Sequence, residues 1–233
     1  MAKLASANKL KLFLLIGSYA DTLFCSIDEQ QAAELKDQVL RELLLSLNYV
    51  NKKGHALALQ AIETLNCFCE SEPFKQRILA NFSNVVFNLA QQVGQAKRQQ
   101  FFEFLLNFCK VFKEQLGEQD LKVLMQALVQ KILDDRVPPK KTLDLSKGKK
   151  PVAKNKADIQ KKLATIRIAK CWSIVRFLAE EEKVAYYPCI EEMGEPLLHQ
   201  IAEPIEDDDD ILFFVSSLLK KKKATSPIFS AML

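Results

Sequence analysis

Apolar residues return every three or four positions along almost the whole chain, the period of helices that each bury one face. The first run covers about 3–24, with Leu12, Ile16, Tyr19 and Leu23 in step. The second, about 28–49, carries Leu35, Val39, Leu43 and Leu47, with Leu40 and Leu44 beside them. Ser26-Ile27-Asp28-Glu29 ahead of it reads as a capping box, the serine side chain bonding a free amide while Glu29 reaches back. Asn51-Lys52-Lys53-Gly54 stops it, because lysines suit a helix C-terminus and glycine suits the left-handed cap. A third helix, about 55–70, buries Ala58, Ile62, Leu65 and Cys69. A fourth, about 72–92, has Pro73 in its first turn, buries Ile78, Phe82, Val85, Val86 and Leu89, and ends at Gly94.

The fifth helix, about 96–115, aligns Phe101, Phe104, Leu105, Phe108 and Phe112. Phe102, Leu106 and Cys109 widen its apolar arc, the profile of a helix held between neighbours, and Gly117 closes it. The sixth, about 118–135, shows Leu121, Leu124, Leu128 and Ile132. The texture then changes: Val137-Pro138-Pro139-Lys140-Lys141 opens a stretch with almost no apolar residues, read as a flexible loop over 137–157. Helix seven, about 158–179, resumes with Ile168, Cys171, Val175 and Leu178, and should bury Trp172. Helix eight, about 183–203, contains Pro188 and Pro196 and reads as two pieces. The acidic run Glu206-Asp207-Asp208-Asp209-Asp210 opens helix nine, about 207–222, which ends on Lys220–Lys223.

This pattern predicts an all-α fold. Only 6 Gly and 8 Pro argue against a turn-rich β-fold, which needs frequent punctuation. The helices pair at about 40–45 residues, the period of a HEAT/armadillo-like helical solenoid of antiparallel helix pairs. Residues 1–136 would form helical repeats, 137–157 the basic loop, and 158–233 would continue the array. No strict signature recurs, so a closed helical bundle is the alternative.

Composition sharpens this in two ways. Hydrophobic residues make up 48% of the 233, enough for a core and too many for a disordered chain. The net charge of +4 is unevenly placed: 137–162 hold nine Lys and two Asp, a local +7, which leaves the remainder near −3. A near-neutral body with one basic segment is not a basic nucleic-acid-binding domain, and no aromatic between Lys140 and Lys162 offers a base a stacking platform. Nucleic acid is therefore a weak expectation beside a protein partner. No run reaches the roughly eighteen apolar residues of a membrane span. Lys3, Lys9 and Lys11 precede Leu12–Ile16, but that stretch is short for a secretory signal and fits an amphipathic helix.

Candidate chemistry is sparse. The histidines, His55 and His199, lie far apart, and no GxSxG, HExxH or glycine-rich phosphate loop exists. Cys67 and Cys69 are two apart on a helix, on roughly opposite faces, so they cannot share a metal. The remaining cysteines, Cys25, Cys109, Cys171 and Cys189, make no CxxC pair and read as reduced, intracellular thiols. The expectation is a protein that binds and catalyses nothing, without cofactor or metal. Clustered carboxylates attract lysine-rich tails, which makes Glu206, Asp207, Asp208, Asp209 and Asp210 the candidate contact for a basic cargo. The plainer reading of that run is helix N-terminal charge.

The last third of the chain resembles a known family. Ile168-Ala169-Lys170-Cys171-Trp172-Ser173-Ile174-Val175 is similar to the "RACWVLHYF" helix of the importin-seven/importin-eight branch of the importin-β (karyopherin-β) superfamily. Pro188 through Pro196-Leu197-Leu198-His199 to Glu203 resembles that branch's "P…ALLHIIRE"; Asp209, Asp210 and Leu212 its "NDDL"; Thr225-Ser226-Pro227-Ile228 with Met232 its "VTPIAVEM". The likeness covers about 165–233, and the order is kept. It implies a HEAT array carrying cargo through the nuclear pore, with the GTPase Ran and Phe-Gly nucleoporins as partners and residence in cytoplasm and nucleus. It also implies that the chain is a segment of a longer receptor. A HEAT-like scaffold subunit of another intracellular complex is the competing expectation.

Overall fold

A computed structural model describes residues 6–47, 55–136 and 152–180. Every regular element among them is a helix: α1 (Ser6–Ser18), α2 (Ala20–Phe24), α3 (Glu29–Ser46), α4 (His55–Glu70), α5 (Glu72–Ala80), α6 (Phe82–Gln95), α7 (Gln99–Val111), α8 (Glu118–Arg136) and α9 (Val152–Glu180). The chain forms two compact units, residues 1–124 and 125–233, with the boundary inside α8.

In the first unit, two expected helices are each broken once. The first bends at Tyr19 (φ −116°, ψ 20°), which separates α1 from the short α2. The fourth bends at Asn81 (φ −122°, ψ 25°), separating α5 from α6; the Asn81 side-chain amide donates to the Arg77 carbonyl, 3.3 Å. Short polar side chains bond local backbone in this way and compete with helix continuity. In element order a short helix is then twice followed by two longer ones: α2–α3–α4, then α5–α6–α7.

Packing follows the same count. Helices three apart in the chain lie side by side: α1 on α4, α2 on α5, α3 on α6 and α4 on α7. α4 also meets α3 and α5, so it has neighbours on most of its girth. The inward faces of α4 and α7 match position for position. Ala61, Ile62, Thr64, Leu65, Phe68 and Cys69 are buried in one, and Phe101, Phe102, Phe104, Leu105, Phe108 and Cys109 in the other. Glu63 and Glu103 point to solvent at equivalent positions. The shared Glu-x-Leu-x-x-Phe-Cys is a sequence repeat that periodicity alone passed over, because the apolar period is common to all the helices.

Phenylalanine fills the spaces between layers. Phe68 and Phe74 stack with ring centroids 3.8 Å apart, and Phe24 meets Phe74 edge-on at 5.5 Å. Farther along, Phe108 contacts Phe112 at 4.8 Å and Phe82 at 5.9 Å. Such aromatic pairs contribute about 0.5–1.5 kcal/mol each beyond the area they bury. Polar links join the same layers: Lys9 to Glu42 at 3.1 Å (α1 to α3), and the Asn107 amide donating to Asn66 at 3.4 Å (α7 to α4). Arg77 of α5 donates two hydrogen bonds to the Asp37 carboxylate of α3.

Several sequence expectations are corrected. The buried face of α1 is Leu10, Phe13 and Ile16, with Ala20 buried at the start of α2, while Tyr19 between the two helices and Leu23 of α2 are exposed. The cause lies in Gly17, which lets α1 approach α4 so closely that a Cβ there would sit 2.6 Å from Phe68 Cε1. A glycine contact leaves no hydrophobic mark in the sequence. Asp28, not Ser26, caps α3, accepting from the amides of Gln30 (2.9 Å) and Gln31 (3.3 Å); Ser26 Oγ instead donates to the Leu23 carbonyl, 2.8 Å, at the end of α2. Gly94 lies within the last turn of α6, and α7 ends at Val111. Gly117 precedes α8, its amide bonded to Asp120 Oδ2 at 3.3 Å. The stop at 51–54 and helices eight and nine lie outside the described residues.

The second unit contains the rest of α8 and α9. Met125, Leu128, Val129 and Ile132 are buried on α8; Ile168, Cys171, Trp172, Ile174, Val175 and Leu178 are buried on α9. α9 starts at Val152 rather than near 158, so Lys154 and Lys156 are helical and only 137–151 of the expected loop lies outside the described residues.

Candidate functional site

The only side chains the sequence offered as a contact, Glu206, Asp207, Asp208, Asp209 and Asp210, lie outside the described residues, as does His199. His55 opens α4. Cys67 is half-buried beside Gly17, and Cys69 is buried. Among the described residues, no three His, Cys, Asp or Glu side chains gather into a metal-binding cluster. No described helix is long and apolar enough to cross a membrane.

Burial makes most described thiols inert. It pushes Cys69 up to about 12, with Glu70 adding to the effect, and Cys109 also to about 12. Cys171 is raised chiefly by burial and then by the Asp135 carboxylate, against the opposing pull of Lys131 and Arg167. The thiolate is the nucleophile, so thiols held this far above neutrality do no covalent chemistry. Cys25 alone among the described cysteines is exposed.

One groove forms in the first unit between α2, α3 and α5. It holds about 310 Å³ and is lined in part by Phe24, Ile27, Ala33 and Pro73, with Lys36 and Arg77 at its polar edge. Both cations are engaged. Lys36 Nζ sits 4.7 Å from the centre of the Phe24 ring, and Arg77 is held by Asp37, whose hydrogen bonds raise the guanidinium above its usual range. The volume is at the lower end of small-molecule sites, about 300–1,000 Å³. Glu29 and Gln76 line the groove as well, so its polar edge carries both signs of charge.

The second unit holds a buried charge cluster that the sequence did not announce. Arg167 of α9 donates to both oxygens of Asp135 on α8, at 2.8 and 2.9 Å, and Lys131 reaches the same carboxylate at 3.3 Å. The three side chains are 8–14% exposed, so the attraction is little screened. Nothing in the spacing of residues 32 apart could have signalled the pair. Its effect is to fix the register of α9 against α8, at the point where α9 changes character.

N-terminal to Arg167, all of 158–163 is exposed. Ile159 (57% exposed), Leu163 (47%) and Ile166 (40%) line up at i, i+4 and i+7. At about 100° per residue they lie opposite the buried Ile168, Cys171 and Val175. The buried stripe of α9 is the one its apolar period predicts; Ile159, Leu163 and Ile166 form a second stripe with their own i, i+4, i+7 spacing.

No family model, curated protein or solved structure matches this chain. Fold and surfaces together define an all-helical protein whose described features are packing layers and open faces.

Proposed function

We propose that the chain is a protein-binding helical-repeat scaffold, a segment of a nuclear transport receptor. The observation that carries the scaffold reading is the side-by-side packing of helices three apart, with α4 and α7 repeating one burial pattern. Triplets of a short and two long helices fit an armadillo-like solenoid better than HEAT pairs. Stacked repeats offer a long face to a partner chain, and the open groove of the first unit fits that use. The transport reading rests on the resemblance of 165–233 to the importin-β superfamily; Cys171 and Trp172, which coincide with residues of its "RACWVLHYF" helix, are both buried. No reaction is assigned. Titration calorimetry with Phe-Gly-repeat peptides and with Ran in its GTP form tests the proposal. Binding of either supports transport. Binding of neither overturns transport and leaves a scaffold of another intracellular complex.

A further inference from the structure

Ser26 reads in the sequence as the cap of the second helix, and the structure gives that work to Asp28. The serine hydroxyl instead donates to the Leu23 carbonyl at 2.8 Å, an exposed bond that water can replace. All of 25–31 is exposed, from the turn after α2 into the first turn of α3. Asp28 and Glu29 stand two and three residues C-terminal to the hydroxyl. Ser18 also has a carboxylate three residues on, Asp21. Ser18, however, closes α1 between buried Ile16 and Gly17 on one side and buried Ala20 on the other. The chain there cannot open into an enzyme cleft without uncovering the core, whereas at Ser26 it can.

We propose that Ser26 is a phosphorylation site for a protein kinase with a basic substrate cleft. Kinases choose substrates by the charges that flank the acceptor, and carboxylates at the second and third positions after the serine suit a cleft lined by Lys or Arg. The co-substrate is ATP. Ser26 Oγ attacks the γ-phosphorus, the bond from that phosphorus to the ADP oxygen breaks, and the hydroxyl proton passes to the kinase's catalytic carboxylate. The product carries about −1.5 to −2 charges. It stands two residues before the N-cap of α3, where the helix dipole favours an anion. It also stands between Phe24 and Ile27, which both line the groove of the first unit. Phosphorylation therefore adds negative charge beside an edge that carries both signs, and turns the groove toward basic segments. This inference does not depend on the transport reading.

The test incubates the full chain with casein kinase two, an acid-directed serine kinase, and magnesium ATP, and locates the phosphate by peptide mass spectrometry. Phosphate should appear on Ser26. Ser26→Ala should abolish that incorporation, and Ser18→Ala should leave its rate unchanged. Glu29→Gln should slow the initial rate about tenfold, because it removes a charge that the kinase cleft reads. All three side chains are exposed, so the helical circular dichroism of the variants should match that of the parent chain. Absence of incorporation overturns the proposal. So does phosphate carried by Ser18 or another residue in place of Ser26, or a rate at Ser26 indifferent to Glu29→Gln.

Discussion

Gly17 shows how much one missing side chain can decide. An added Cβ would lie 2.6 and 2.8 Å from the ring of Phe68, which is fully buried and stacked on Phe74 and so has no room to yield. Gly17→Ala should therefore lower the stability of the first unit by about 1–3 kcal/mol, measured by urea denaturation followed by far-UV circular dichroism. At Asp135 the issue is charge. Asp135→Asn removes the carboxylate that Arg167 and Lys131 share in a setting at most 14% exposed, and should cost the second unit about 3–5 kcal/mol. The buried thiols give a pH signature. Cys109 titrates at about 12 in the folded chain against 9.0 when exposed, so between those values the folded state holds a proton that the unfolded state has lost. Stability is complete below pH 9 and falls as pH rises through that window, by about 1.4 kcal/mol per pH unit for each such thiol. Cys109→Ala should flatten the decline measured by denaturation between pH 9 and 11.

At the scale of helices, the apolar period located most of the buried positions. Val39, Leu43, Ala58, Ile62, Val85, Leu89, Leu124 and Ile168 are buried where the spacing put them. Helix ends were less legible, because they are settled by local bonds: Asn81 turning back on Arg77, Asp28 capping α3, Gly117 bonded to Asp120. The face of α1 misled because its closest contact is a glycine. On α9, the spacing of Ile159, Leu163 and Ile166 was readable, while their exposure depends on what the fold leaves uncovered. The acidic run 206–210 lies outside the described residues. Hydrogen exchange should rank the helices by their surroundings. Amides of α4, packed against α1, α3, α5 and α7, should exchange slowest in the first unit, and those of 158–166 should exchange faster than those of 168–178 within the same helix.

For the molecule as a whole, the two compact units carry different reporters. Trp172 is the sole tryptophan and lies buried in the second unit, so its fluorescence follows that unit alone, while circular dichroism follows both. Unfolding curves from the two probes should not coincide. Asp135→Asn should move the fluorescence midpoint and Gly17→Ala only the circular dichroism one; a single shared transition shifted equally by both would mean that the units fold as one. The matched inward faces of α4 and α7 bear on ancestry as well. Leu65, Phe68 and Cys69 recur as Leu105, Phe108 and Cys109, the same buried letters forty positions on, which is the mark that a duplicated segment leaves in a sequence.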